Sequence, residues 1–149
     1  MPTVEKSIIV KRSLKEVRDF LATPAKLPLW LVGNESVSDI TPVIVAGGGK
    51  VWTYAWEYRM FGILLSGLGR CFTDPEGKVV TFCTDGDIGS NWRLTLSENG
   101  ATETRIELHV EYNIPARLGG KVSELLLKGA NETAAQESLE NIRKKLVGG

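Results

Sequence analysis

Apolar and polar residues alternate along much of the chain up to about residue 112, with the period of two that is typical of β-strands. The alternation is clearest in Lys50–Met60 and in the last such stretch. There, Ile106, Leu108, Val110 and Tyr112 fall on one face, and Arg105, Glu107, His109 and Glu111 fall on the other. This split predicts a sheet with one buried face and one face in water.

Seven strands are predicted by the same pattern together with the turn residues between them. They are Thr3–Lys11, Ser36–Val43, Lys50–Met60, Ile63–Thr73, Val79–Thr84, Asn91–Ser97 and a last strand that ends before Pro115. Phe61-Gly62 and Asp74-Pro75-Glu76-Gly77 are turn sequences that connect neighbours in antiparallel fashion.

Helical spacing of apolar residues appears in two places. Ser13-Leu14-Lys15-Glu16 is a capping box that opens a short helix, which Pro24 ends, and a second short helical turn follows at Leu27–Leu31. A long helix is predicted from about Ala116 to Leu146. The order β, two short α, six β, one long α predicts an α+β fold in a single domain, 1–149. A curved antiparallel sheet over one long helix tends to enclose an apolar hollow.

Composition narrows the function classes. The chain has 149 residues and a formal net charge of zero, with 18 basic and 18 acidic residues, so nucleic acid is not an expected partner. No run of 18 apolar residues is present, and the charged N-terminal residues Pro2–Lys6 do not resemble a signal peptide, which predicts a cytoplasmic protein. Cys71 and Cys83 lack C-x-x-C spacing and are expected as reduced thiols.

Motifs for catalysis, metals or cofactors are weak. The single histidine, His109, is predicted to face water, so Ser-His-Asp chemistry and most transition-metal sites are not expected. Gly47-Gly48-Gly49-Lys50 lacks the first glycine and the Ser or Thr of a phosphate loop. Gly67-x-Gly69 has Phe72 where a dinucleotide fingerprint needs its third glycine. No cofactor and no metal are predicted.

Several short motifs occur in a specific order over residues 4–146. They are Val17-x-x-Phe20-Leu21 with Trp30 downstream, Tyr54-x-Trp56-x-Tyr58-x-Met60-x-Gly62, Gly67, Ser90-x-Trp92, Val110-x-Tyr112-x-x-Pro115, and Asn131 with Ser138-Leu139-x-Asn141-Ile142. In this order the chain resembles the START-like or SRPBCC superfamily, and within it the polyketide cyclase/dehydrase and lipid transport group. The resemblance implies a helix-grip fold with a ligand between the concave sheet face and the long helix. Arg12-Ser13 and Thr23-Pro24 depart from the family's usual Ala-Pro and Asp-Pro.

The face of strand Lys50–Met60 that lines this cavity depends on register. A two-residue turn at Phe61-Gly62 would place Trp56 opposite Gly67 and Tyr54 opposite Gly69, with the aromatic side chains inside. The glycines then leave room either for those rings or for a ligand. A slip of one residue would instead place Glu57 and Arg59 inside.

The predicted ligand-binding residues come from the inner sheet face and the middle of the long helix. They are Tyr54, Trp56, Tyr58, Arg70, Phe82, Trp92, Tyr112, Leu125, Gly129, Glu132 and Gln136. The alternatives are that the aromatic residues are simply core, that Arg70 is exposed, and that the stretch around Glu132 is exposed or pairs with Arg59 or Arg70.

Three functions are compatible with this pattern. The first is a carrier or sensor of a small hydrophobic molecule such as a lipid, a quinone or a polyketide-like compound, as a monomer or weak dimer. The second is a cyclase, dehydrase or hydrolase that could recruit Glu57, Tyr58 and Arg70, although no residue is singled out as catalytic. It is favoured if Glu57, Arg59, Arg70 or Glu132 points into the cavity. The third is a protein-interaction domain that uses the outer sheet face.

Overall fold

A single antiparallel sheet of seven strands forms the body of the described molecule. The structure is a computed structural model, and it describes residues 3–45, 50–60, 62–113 and 124–147. The strands lie in the order β1-β7-β6-β5-β4-β3-β2. They are β1 (Thr3–Val10), β2 (Asn34–Ile44), β3 (Lys50–Met60), β4 (Ile63–Thr73), β5 (Val79–Gly86), β6 (Ser90–Glu98) and β7 (Thr104–Tyr112). All seven predicted strands are present, with ends that differ by a few residues.

The alternation is weakest in β2 because that strand is irregular. Its pairing with β3 shifts between Asn34 and Ser36 and again between Ser38 and Thr41. Between the second pair, Asp39 has a φ of 52°, a left-handed conformation that is uncommon outside glycine. Each shift moves the following side chains relative to the pleat, so a strict period of two is lost.

The helices are α1 (Leu14–Leu21), a 3₁₀ turn (Pro24–Lys26), α2 (Leu27–Trp30) and α3 (Glu124–Val147). Ser13 caps α1 as predicted, since its hydroxyl accepts the Glu16 N–H at 3.3 Å. The Ser13 hydroxyl in turn donates to the Glu16 carboxylate at 3.0 Å. The predicted start of the long helix near Ala116, with Leu118 and Val122, lies outside the described residues.

The core lies between the sheet and the helices. On α3, Ala135, Leu139 and Ile142 are buried, and α3 contacts both β1 and α2. From β7, the four predicted inward residues are all buried, whereas the four polar residues between them are not. None of the described helices is long and apolar enough to cross a membrane.

Candidate functional site

A cavity lies between the concave face of the sheet and α3, with a volume of about 80 Å³. On this measure one buried water needs about 10–15 Å³, so the cavity exceeds the space of one or two waters. Seven aromatic residues line it: Trp30, Tyr54, Trp56, Tyr58, Phe82, Trp92 and Tyr112. Smaller apolar residues complete it. They are Val4 of β1, Leu27 of α2 and Leu31 just after it, Met60 of β3, Ile88 in the loop after β5, Val110 of β7, and Ala134 and Ala135 of α3.

Strand β3 supplies three of these rings because its alternation places them on one face. The register with β4 is the predicted one, with Tyr54 opposite Gly69 and Trp56 opposite Gly67. A Cβ built on Gly69 would lie 2.5 Å from the Tyr54 ring, and one on Gly67 would lie 2.6 Å from the Trp56 ring. The glycines therefore accommodate the rings of β3 themselves. The Trp56 indole N–H crosses over to donate to the Leu68 carbonyl at 2.9 Å.

The other face of β3 lies outside the cavity. Glu57 is exposed and accepts from the Ser36 hydroxyl at 2.8 Å. Arg59 is also exposed and donates through Nε to Glu35 at 2.6 Å. This hydrogen bond raises the pKa of Arg59 and lowers the pKa of Glu35. The alternative register, with Glu57 and Arg59 inside, is excluded.

Hydrogen bonds join α2 to α3 at one side of the cavity. The Val32 N–H donates to Ser138 Oγ at 3.1 Å, and the Ser138 hydroxyl donates to the Ala134 carbonyl at 2.7 Å. Asn141 Nδ2 donates to the Trp30 carbonyl at 3.3 Å. These polar residues hold the Trp30 ring between helix and sheet, where it meets Phe82 edge-on at a centroid distance of 6.1 Å.

Apart from the Trp and Tyr rings, polar side chains are few and uncharged in the described part of the wall: Asn34, Thr84, Ser90, Asn113 and Asn131. Thr84 and Ser90 hydrogen-bond each other at 2.5 Å, and the Thr84 hydroxyl lies 3.1 Å from the Ile88 carbonyl. Four buried polar atoms of wall residues have no hydrogen-bond partner among the described residues. They are Trp30 Nε1, Asn34 Oδ1, Tyr112 Oη and Asn131 Nδ2.

Burial changes the titration of the groups at the wall and next to it. Desolvation raises the pKa of Tyr58 to about 12 and raises that of Tyr54 as well. Both phenols are therefore protonated at neutral pH. Cys71, buried on β4, has its pKa raised to about 12 for the same reason, so it is an unreactive thiol. Cys71 and Cys83 are both free.

The structure brings six of the predicted ligand-binding residues to the cavity wall: Tyr54, Trp56, Tyr58, Phe82, Trp92 and Tyr112. Whether they bind a ligand stays a prediction. Leu125 has a side chain outside the described set.

Four predicted residues are not at the wall. Arg70 is exposed because it alternates with the buried Gly69 and Cys71 and so points to the outer face. On α3, Gly129 and Gln136 are exposed and Glu132 is half-buried. The helix instead turns Asn131, Ala134 and Ala135 towards the cavity. Glu132 also does not pair with Arg59, whose partner is Glu35.

Sequence reasoning missed Trp30, Asn34 and Asn131 as wall residues. Trp30 and Asn131 are among the motif residues that carry the family resemblance, which is the one signal that pointed to them. Asn34 opens β2 next to a glycine turn, and nothing in its local pattern distinguishes it from an ordinary turn asparagine.

Comparison with known proteins agrees with this architecture. The model of the family described as polyketide cyclase/dehydrase and lipid transport matches residues 1–147. The chain therefore belongs to that family. Among curated proteins, none matches the sequence.

Solved structures show the same fold at low sequence identity. A Thermus thermophilus protein has a TM-score of 0.80 at 17% identity, with 99% of this chain and 98% of that chain covered. A START superfamily protein from Mycobacterium smegmatis has a TM-score of 0.78 at 11% identity, covering 99% of both chains. The Zhui aromatase/cyclase from a Streptomyces species has a TM-score of 0.75 at 15% identity, covering 97% and 92%.

Proposed function

We propose that this protein binds a small, mainly apolar molecule in the cavity between the sheet and α3 and acts as its carrier or sensor in the cytoplasm. The observation that carries the proposal is the aromatic wall around a cavity of about 80 Å³. Concave sites lined by aromatic side chains with a few polar groups are the usual form of small-molecule sites.

The volume sets a condition on the ligand. Sites for drug-sized molecules have volumes of roughly 300–1,000 Å³, well above that of this cavity. A single-ring compound needs a modest displacement of the wall, whereas a lipid, a quinone with a tail or a polyketide-like compound needs a larger one. Met60 is a half-buried wall residue whose unbranched side chain changes shape at low cost.

An enzymatic role gains no support from the described wall. General acid–base catalysis needs a group that gains and loses a proton near neutral pH. Glu57, Arg59 and Arg70 are exposed away from the cavity, and Glu132 is not at the wall. Tyr58 is at the wall, but burial raises its pKa to about 12, further from neutral than that of an ordinary phenol.

A protein-interaction role for the outer face is also not favoured. Leu64, Leu68 and Phe72 are exposed on the outer face of β4, but Ser66 and Arg70 alternate with them. The apolar surface is therefore interrupted along the strand rather than continuous.

The test is native mass spectrometry of freshly purified protein, followed by solvent extraction. We expect an added mass that is released by denaturation and recovered in the solvent. Ala134→Leu adds bulk at the cavity wall and should abolish the added mass, whereas Ala101→Leu makes the same change in an exposed turn and should retain it. Thermal melting of both variants checks that they fold. A bare mass for the parent protein, together with no binding of added ethylbenzene or acetophenone, contradicts the proposal.

A further inference from the structure

The four buried polar atoms without a described partner belong to wall residues from four different elements. Trp30 belongs to α2, Asn34 to β2, Tyr112 to β7 and Asn131 to α3. Trp30, Tyr112 and Asn34 are only 1%, 5% and 9% exposed. Buried polar groups are nearly always hydrogen-bonded, so four in one cavity wall require an explanation.

Other polar atoms of these residues and of the same wall do have hydrogen-bond partners. The lack of a partner is therefore specific to the four atoms. The Trp56 indole N–H donates to a carbonyl, whereas the Trp30 indole N–H has no partner among the described residues. The Trp30 carbonyl accepts from Asn141. Asn34 Nδ2 donates to the Glu57 carbonyl at 3.3 Å and lies 3.5 Å from the Ser36 carbonyl, which fixes the amide so that Oδ1 is the atom left over.

The four atoms differ in whether they donate or accept hydrogen bonds. The indole N–H of Trp30 and the amide N–H of Asn131 are donors only, and the Tyr112 hydroxyl both donates and accepts. Asn34 Oδ1 accepts only. A complementary molecule therefore presents mainly acceptor oxygens, as a carbonyl compound does, and at most one or two hydroxyls.

Charge restricts the ligand further. The described wall residues carry no Lys, Arg or His to receive a carboxylate or phosphate, and no Asp or Glu to receive a cation. Burying an unpaired ionised group is far more costly than burying a hydrogen-bonded neutral one.

We infer that the ligand is an uncharged ring compound with a carbonyl oxygen that accepts hydrogen bonds from the wall donors Trp30, Asn131 and Tyr112. This specificity rests on the proposed function, since it describes what the same cavity selects. Anionic amphiphiles such as fatty acids, and plain hydrocarbons of equal size, are discriminated against.

Three probes with the same benzene ring test the inference: acetophenone, ethylbenzene and benzoate. Their dissociation constants are measured by NMR titration of the isotope-labelled protein. One added neutral hydrogen bond corresponds to about three- to tenfold in affinity. We expect acetophenone to bind at least about threefold more tightly than ethylbenzene, and benzoate to bind most weakly.

Two variants connect this preference to the wall. Tyr112→Phe removes only a hydroxyl, and Asn131→Leu replaces an amide by an apolar group of similar size. Either variant should reduce the preference for acetophenone by about threefold or more, while ethylbenzene binds as before. Asn91→Leu makes the same asparagine change on the exposed face of β6 and should leave all three constants unchanged. If one cavity variant does not fold, the other still gives the result.

The outcomes separate the two proposals. Equal binding of acetophenone and ethylbenzene, or a preference that both variants retain, overturns the carbonyl inference and leaves the cavity as an apolar carrier site whose polar atoms bind water. Tightest binding of benzoate overturns it as well. Binding of none of the probes, with no extractable ligand, contradicts the proposed function itself.

Discussion

Two glycines of β4 show how single residues shape the cavity wall. Gly69 lies under the Tyr54 ring and Gly67 under the Trp56 ring. Each pair therefore places a large ring on β3 opposite a glycine on β4. Gly67 is also pressed against β5, since a Cβ there would lie 2.0 Å from the Asp85 carbonyl oxygen. A ring can move, but a backbone carbonyl inside a sheet cannot move without breaking the pairing.

We predict that Gly67→Ala destabilises the fold more than Gly69→Ala. Overpacking of a well-packed core typically costs about 1–3 kcal/mol, and Gly67 adds a backbone clash to the ring clash. Urea unfolding of the two variants gives the free energies of unfolding to compare.

The control is a double variant, Tyr54→Leu with Gly69→Ala. Removing the ring should relieve the cost of the new methyl group, so the two changes should be strongly non-additive. Strict additivity, or equal costs at both glycines, would show that the rings do not determine the tolerance at these positions.

For single residues, the alternation of apolar and polar positions predicts which face of the sheet a side chain lies on, whereas the chemistry of the side chain alone does not. The inward direction of Tyr54 and Trp56 could be predicted because a period of two and the turn length fix the register together. The charge of Arg70 suggests a ligand anchor, but its place between Gly69 and Cys71 puts it on the outer face. The four unpartnered atoms could not be predicted, since pairing depends on distances between residues far apart in the chain.

The sequence predicts the position of α3 in the fold, but only in part which of its residues face the cavity. Its C-terminal half behaves as expected, with Leu139 and Ile142 buried. In its middle the apolar spacing gives no guide, because small and polar residues occupy both faces. There two hydrogen bonds fix which side faces the cavity: Ser138 accepts from the Val32 N–H just after α2, and Asn141 donates to the Trp30 carbonyl.

We predict that Gly129→Ala stabilises the protein by about 0.5–1 kcal/mol, because alanine is a better helix former than glycine at an exposed helical position. No described atom beyond the helix's own backbone lies within 4 Å of the added Cβ. A rise in melting temperature with unchanged affinity for acetophenone is the expected result. Weaker acetophenone binding would mean that Gly129 contributes to the ligand site after all.

For the whole molecule, the tyrosines of the cavity wall predict how stability responds to alkaline pH. The pKa of Tyr58 is raised to about 12 by burial, from roughly 10 in an unfolded chain. Between these values the unfolded state releases the proton and the folded state keeps it. The unfolded state then binds fewer protons, so stability falls as pH rises.

We therefore expect the free energy of unfolding to decrease from about pH 10 to about pH 12, as measured by urea unfolding at a series of pH values. Tyr58→Phe has no phenol to ionise and should show a shallower decrease over that window. Identical slopes for parent and variant would contradict the assignment of the effect to Tyr58.

The order of elements across the molecule was predictable because each strand carries its own alternation and each turn its own residues. The cavity volume was not, since a space of about 80 Å³ depends on the rotamers of a few rings. A sequence specifies that large side chains face inwards, whereas how completely they fill the interior is decided only when all of them pack together.

The pairing of β1 with β7 has a consequence for synthesis on the ribosome. His109 on β7 contacts Glu5 on β1 across 104 residues of chain, and Thr104 reaches the Arg12 carbonyl across 92. β1 must therefore wait for β7 to be synthesised before it has a strand partner. At about 5–20 residues per second this is a delay of roughly 5–20 s, during which β1 is an unpaired strand edge available to chaperones.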